Sequence, residues 1–277
     1  MSATQLPTYF ISHGGGPWPW LDESVMPVNF AGLADALREI PRQIAEPPRA
    51  ILLVSAHWEE PEFTVQTTPN PPMIYDYFGF PQHTYEIEYP APGSPEVAQR
   101  VVELLTAANI AVRTDAERGF DHGVYAPMFV AYPDADVPIV QMSLRDGLDP
   151  AEHLAVGRAL APLRDENVLI IGSGVPSFHN MRLRNVPVEA AAFDAWLTAT
   201  MVESSTNDRV TRLVAWEDAP HSRIAHPREE HLIPGMVAVG AAGSDLGHRD
   251  YHEDNVMGWI PSSGYRFGDV VSDKIGA

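Results

Sequence analysis

Two stretches constrain the fold of this chain more than any others. RAILLVSAH (49–57) and NVLIIGSG (167–174) are continuous apolar runs of strand length. A strand with one wet face alternates apolar and polar residues. A run without that alternation is the pattern of a strand buried on both faces, as in a parallel sheet covered by helices on each side. The rest of the chain supplies such neighbours. PTYFIS (7–12) and VPIVQMSL (137–144) read as further strands, with shorter ones near IAVR (110–113) and GYRFGD (264–269). Leu33, Leu37, Ile40 and Ile44 recur at helical spacing in spite of Pro41, and Val97, Val101, Leu104, Leu105 and Ala108 mark a second helix. Helices are also expected at 121–133 after a polar start, at 150–166 behind Pro150, at 188–203 and at 231–243. Residues 61–93, rich in proline and aromatics, read as a long loop, and loops of that length are often functional. The alternation predicts an α/β architecture, a central mixed sheet flanked by helices, in a single domain over 1–277.

Charge narrows the partners. With 18 Lys and Arg against 37 Asp and Glu, the formal charge is −19. Phosphate backbones and anionic membrane surfaces need clustered cations, so neither nucleic acid nor a membrane is an expected partner. No basic-then-apolar leader opens the sequence and no uncharged run is long enough to span a bilayer, so a cytoplasmic enzyme is the expectation. The absence of cysteine removes disulfides, iron–sulfur clusters and thiolate metal sites.

Eleven histidines remain, and their placement is informative. His13 follows the first strand, His57 follows ILLVSA, and His179 lies just past VLIIGSG in GSGVPSFHN. Open α/β sheets bind ligands at the carboxyl ends of their strands, so these side chains are expected to meet at one sheet edge and to form a metal site there. His122 opens a helix after a loop, and His226 and His231 bracket HPREEH, which opens another. A single histidine at a strand end is most often a hydrogen-bonded structural residue. Equivalent positions on separate strands are harder to assign that way. His153, His248 and His252 lack such context and are expected at the surface, and His83 and His221 lie in loops. Without thiolates, imidazole and carboxylate are the donors left for Fe(II) or Zn(II), which favours an open catalytic site over a closed structural one. The glycine run after His13, in FISHGGGP (10–17), exceeds what a turn needs. It lacks the lysine of a phosphate loop and the spacing of a dinucleotide loop, and reads as room for a ligand to approach the backbone.

ISHGGGP, LLVSAHW, YDYFGFP, DHGVYAPM, IIGSGVPSFHN and HPREEHLIPGMVAVGAA occur in the order seen in DODA-type (4,5-DOPA-type) class III extradiol ring-cleavage dioxygenases, from residue 11 to about 243. The chain resembles that family over most of its length. The resemblance implies an α/β fold and a mononuclear non-haem Fe(II) site that opens catechols and incorporates both atoms of O2, with Zn(II) in its place in some members. Carried over by motif, His13 and His57 would be metal ligands. The third would come from HPREEH: His231 by the DODA pattern, or Glu230 by that of the wider class III superfamily. His179 would be the acid/base residue, with a place around the metal as the alternative, and His122 would contact the substrate hydroxyl or bound oxygen. The implied partners are a small aromatic diol and O2, and a homo-oligomer stays open. Two departures point to a substrate other than DOPA: Arg228 and Glu229 within HPREEH, and the aromatic WPW after SHGGGP.

The donor set suits that chemistry independently. A catechol chelates through both oxygens, so its metal must keep positions free for substrate and O2, which three ligands on one face allow. An imidazole titrating near neutrality can take a catechol proton and later return one. A zinc-dependent hydrolase could use the same ligands, and a non-enzymatic binding protein could keep the same fold.

Overall fold

A computed structural model of the chain describes residues 5–22, 24–26 and 28–270. Among these, β1 (Thr8–Ser12), β2 (Ala50–Glu60), β3 (Phe63–Gln66), β4 (Val112–Asp115), β5 (Ile139–Arg145), β6 (Val168–Gly174), β7 (Gly247–Val256) and β8 (Ile260–Phe267) form one sheet in the order β4-β3-β5-β2-β6-β1-β8-β7. The middle strands β5, β2, β6 and β1 run parallel. Antiparallel β3 and β8 flank them, so the sheet is mixed.

The unbroken apolar runs follow from that position. Along β2, Ile51 and Leu53 enter one buried cluster and Leu52 and Val54 the other; Leu169 and Ile171 part from Ile170 in the same way along β6. Helices α1 (Ala31–Gln43) and α3 (His122–Ala131) keep one face dry. The other is covered by α2 (Pro95–Ala107), α4 (Pro150–Leu160), α5 (Pro187–Thr198), α6 (Thr206–Val214), α7 (Ser222–Ala225) and α8 (Pro234–Ala242). Truncating a fully buried mid-sheet side chain such as Leu53 to alanine costs about 2–5 kcal/mol, the lost transfer energy plus a cavity. Among the described residues no helix is long and apolar enough to cross a membrane.

Three expectations fail locally. The 61–93 loop begins with a strand, β3, whose four residues are too short a run to register as periodic. GHRDYHEDNV, for which the sequence pattern predicts no element, is a strand (β7): it is the sheet edge, where charged residues face water and discourage pairing with other chains. His153 is not at the surface but fully buried on α4. Its Nδ1 donates to the Asp149 carbonyl at 2.7 Å, and its Nε2 accepts from the Arg145 N–H at 3.2 Å.

Candidate metal centre

His13 stands one residue past β1. Its N–H donates to the Gly174 carbonyl at 2.9 Å, which extends the β1–β6 ladder and fixes the residue at the carboxyl edge of the sheet. The Trp18 indole N–H donates to the His13 carbonyl at 2.8 Å. Gly14 has φ +77°, and a Cβ there would lie 2.4 Å from Trp18 Nε1. At Gly14 the indole already requires glycine, and Gly14, Gly15 and Gly16 together line the cavity above the histidines. The aromatic WPW, expected to bear on substrate choice, does not line the cavity: Trp18 is buried against Phe30, and Trp20 packs on Phe129.

His57 lies inside β2, where pairing with β5 loses register between Val54 and Glu59. The Ser55 hydroxyl accepts from the His57 N–H at 3.2 Å and donates to the Asp121 carboxylate at 2.7 Å. Asp121, fully buried, also accepts from Arg118 at 2.9 Å and from Gln141. This network holds the irregular stretch from which His57 projects. His231 occupies the turn before α8. A Cβ at Gly174 would lie 2.2 Å from the His231 carbonyl oxygen, so glycine there lets the HPREEH backbone meet the strand end directly. His122 opens α3, and His179 lies in the loop after β6, its N–H donating to the Ala225 carbonyl at 2.9 Å.

The tertiary structure brings these five imidazoles together. His57 Nε2 is 3.2 Å from His13 Nε2 and 3.3 Å from His231 Nε2. The His57 and His122 ring centroids are 4.0 Å apart, and His179 stacks on His231 at 3.4 Å. On their far sides, His13 Nδ1 faces the Gly14 carbonyl at 3.1 Å and His231 Nδ1 faces Glu230 Oε1 at 3.0 Å. Those oxygens can only accept, so each Nδ1 carries the proton and each Nε2 presents a lone pair. Burial, reinforced by the neighbouring imidazoles, holds His13 and His231 well below the ordinary imidazole range. His57 is lowered to about 4 by burial first and His122 next, against Asp121 and Asp76. The Nε2 lone pairs of His13 and His231 both lie against the Nε2 of His57, whose single proton could satisfy one of them, and a shared cation would engage all three. Metal–nitrogen bonds of about 2.0–2.1 Å place ligand nitrogens roughly 3.0–3.4 Å apart, which this spacing matches.

Two acids contact these histidines, and with them form two further groups, His57–Asp76–His122 and His179–Glu230–His231, whose donor atoms lie within 4.8 Å of one another. Asp76, in the YDYFGFP loop, accepts from His122 Nδ1 at 2.7 Å and from its N–H at 3.1 Å, and lies 3.6 Å from His57 Nδ1. Burial raises its pKa, but the His122 hydrogen bond and charge outweigh that and leave it below the usual carboxylate range. Glu230 joins His231 and His179, 3.4 Å from His179 Nδ1; burial raises it too, and His179 with Arg228 brings it below the usual range. Asp76 was not singled out by its pattern; an acid beside aromatics in a long loop was the one available signal. Arg228 pairs with Glu59, and Glu229 with Arg223.

The histidines floor a cavity of about 450 Å³, within the range of small-molecule sites. Its walls are largely apolar, from Phe30, Phe80, Phe178, Met181, Met257 and Ile260.

Over residues 7–268 the chain matches the family described as the catalytic LigB subunit of aromatic ring-opening dioxygenase. It is 39% identical over 266 residues to 4,5-DOPA dioxygenase extradiol of Beta vulgaris, covering 94% of this chain and 96% of that one. Similarity to Dioxygenase tasH of Hapsidospora irregularis is 38% over 272 residues, 91% of this chain and 80% of that one. Similarity to 4,5-DOPA dioxygenase extradiol of Escherichia coli (strain K12) is 36% over 254 residues, 87% of each. A crystal structure of an uncharacterized protein from Escherichia coli K12 shares the fold with a TM-score of 0.74 and 29% identity, over 95% of this chain and 100% of that one.

Proposed function

The chain belongs to the LigB family of aromatic ring-opening dioxygenases, and on that premise we propose that it opens a catechol by extradiol cleavage with O2 at one non-haem Fe(II) held by His13, His57 and His231. The observation that carries this reading is the convergence of the Nε2 atoms of His13, His57 and His231 at the floor of a substrate-sized cavity. A donor set of nitrogens clustered on one side leaves coordination positions free, as chelation by a diol requires. Bound iron supplies the redox chemistry that couples a catechol to O2, which side chains alone cannot.

The protein's own groups then do four things. Glu230 holds His231 by its Nδ1 and so fixes Nε2 toward the metal, an orienting role that leaves the third ligand position to His231. His179, stacked on His231 and lining the cavity, takes a catechol proton and returns one to the oxygen that leaves. His122, with its Nδ1 committed to Asp76, directs Nε2 at substrate or oxygen. Asp76 keeps both His122 and His57 in the orientation their tasks require.

The test is anaerobic loading with Fe(II) followed by an O2-electrode screen of catechols. Catechol-dependent O2 uptake with a ring-opened product supports the reading. Iron-loaded protein that consumes no O2 with any catechol, while the zinc-loaded form hydrolyses an ester or amide, would overturn it in favour of a hydrolase.

A further inference from the structure

We infer that the catechol this site accepts carries an uncharged, apolar substituent. The inference rests on the ring-opening reading and adds the substrate class. A diol seated on His13, His57 and His231 leaves its ring substituent to the remainder of the cavity. That remainder is walled by Phe30 ahead of α1, Phe80 of the YDYFGFP loop, Phe178 and Met181 after β6, and Met257 and Ile260 of the β7–β8 hairpin. Among the described residues lining the cavity there is no lysine or arginine. The one carboxylate there, Asp76, is already engaged by His122. Arg228, the cation of HPREEH, is tied to Glu59, lies 3.7 Å from Glu230 and does not line the cavity, so its charge is already matched by two carboxylates.

A carboxylate or ammonium on the substituent would lose water without gaining a counter-charge, and an unpaired charge is the most costly group to desolvate. An alkyl or aryl group of the same length would instead gain from every apolar atom it covers. The same reasoning disfavours an amino-acid side chain such as that of DOPA, which carries both charges.

The protein is loaded with zinc, which has no redox chemistry and so should not turn a bound catechol over, and is titrated calorimetrically with 4-butylcatechol, 3-(3,4-dihydroxyphenyl)propionate and DOPA. The butyl compound is expected to bind roughly tenfold or more tightly than either charged one, tenfold being about 1.4 kcal/mol. Met181→Arg and Met257→Arg, at side chains already 47% and 39% exposed, place a cation on the wall without disturbing the core. Each is expected to tighten the propionate and weaken the butyl compound. Equal affinities in the wild type, or a ratio unmoved by both variants, would overturn the inference while leaving ring opening intact. Preferential binding of the butyl compound with no O2 uptake by the iron form would keep the inference and remove the ring-opening reading.

Discussion

The molecule contains two kinds of buried histidine, and burial does not tell them apart. His13 and His231 at the cavity floor, and His153 and His226 elsewhere, are all nearly or fully removed from water. In both groups burial is the largest cause of a lowered pKa. What differs is where the ring nitrogens point. His153 spends both nitrogens on backbone, with Asp149 and Arg145, and His226 Nε2 donates to the Pro176 carbonyl at 3.0 Å. These rings tie segments together. His13 and His231 spend Nδ1 outward, on the Gly14 carbonyl and on Glu230, and turn Nε2 toward the Nε2 of His57, so that three ring nitrogens from separate segments meet at one point. A perturbed imidazole is therefore a weak sign of a site, and the convergence of ring nitrogens from separate segments on one point is a strong one.

The contrast can be broken most severely at the metal. His13→Ala and His57→Ala should each lose most bound metal and nearly all O2 uptake, with stoichiometry falling from about one per chain, since each removes one of the three proposed ligands. Metal analysis after desalting decides it, and a double variant that kept full metal would dissolve the distinction. His179→Gln comes next. Iron content and melting temperature should stay near wild type while kcat falls roughly 10²–10⁴-fold, the usual contribution of a positioned proton-transfer group. Loss of iron would instead make His179 a ligand. Asp76→Asn should cost about 10–100-fold in metal affinity or turnover, because it disturbs from behind the histidines proposed to act at the metal. A change confined to melting temperature would reduce Asp76 to a cap of α3.

The smallest effects belong to the structural histidines. His153→Gln should keep full metal and lower stability by about 1–3 kcal/mol, through unsatisfied backbone partners. The pH dependence has a definite sign. His153 titrates near 4 in the fold against an ordinary 6.5, so below 6.5 the unfolded chain takes up the proton first. Its stabilisation is complete above about 6.5 and is lost as the pH falls toward 4. Chemical denaturation at pH 7 and pH 5 should show less acid sensitivity in His153→Gln than in the wild type; equal sensitivity would place the acid response elsewhere, for example at His226.

Much of the architecture is legible in local pattern. The runs around Leu52 and Ile170 state that their strands are covered on both sides, because a strand exposed on one face cannot afford that composition. The segment around β7 hides for the opposite reason, since an edge strand is free to be polar. The sequence alone also marks His13, His57, His122, His179 and His231 as belonging to recurrent motifs, and its lack of cysteine limits the donors to nitrogen and oxygen. Only the tertiary structure decides which nitrogens meet. Residues 13, 57 and 231 are brought to one point by the order β2-β6-β1 and by the close approach at Gly174, and those are facts of register and packing between segments far apart in the chain. The same holds for the loop acid Asp76, for the pairing that keeps Arg228 off the cavity, and for the burial of His153. Periodicity reports what each segment must cover, whereas the direction of a ring nitrogen is set by whatever the rest of the chain places beside it.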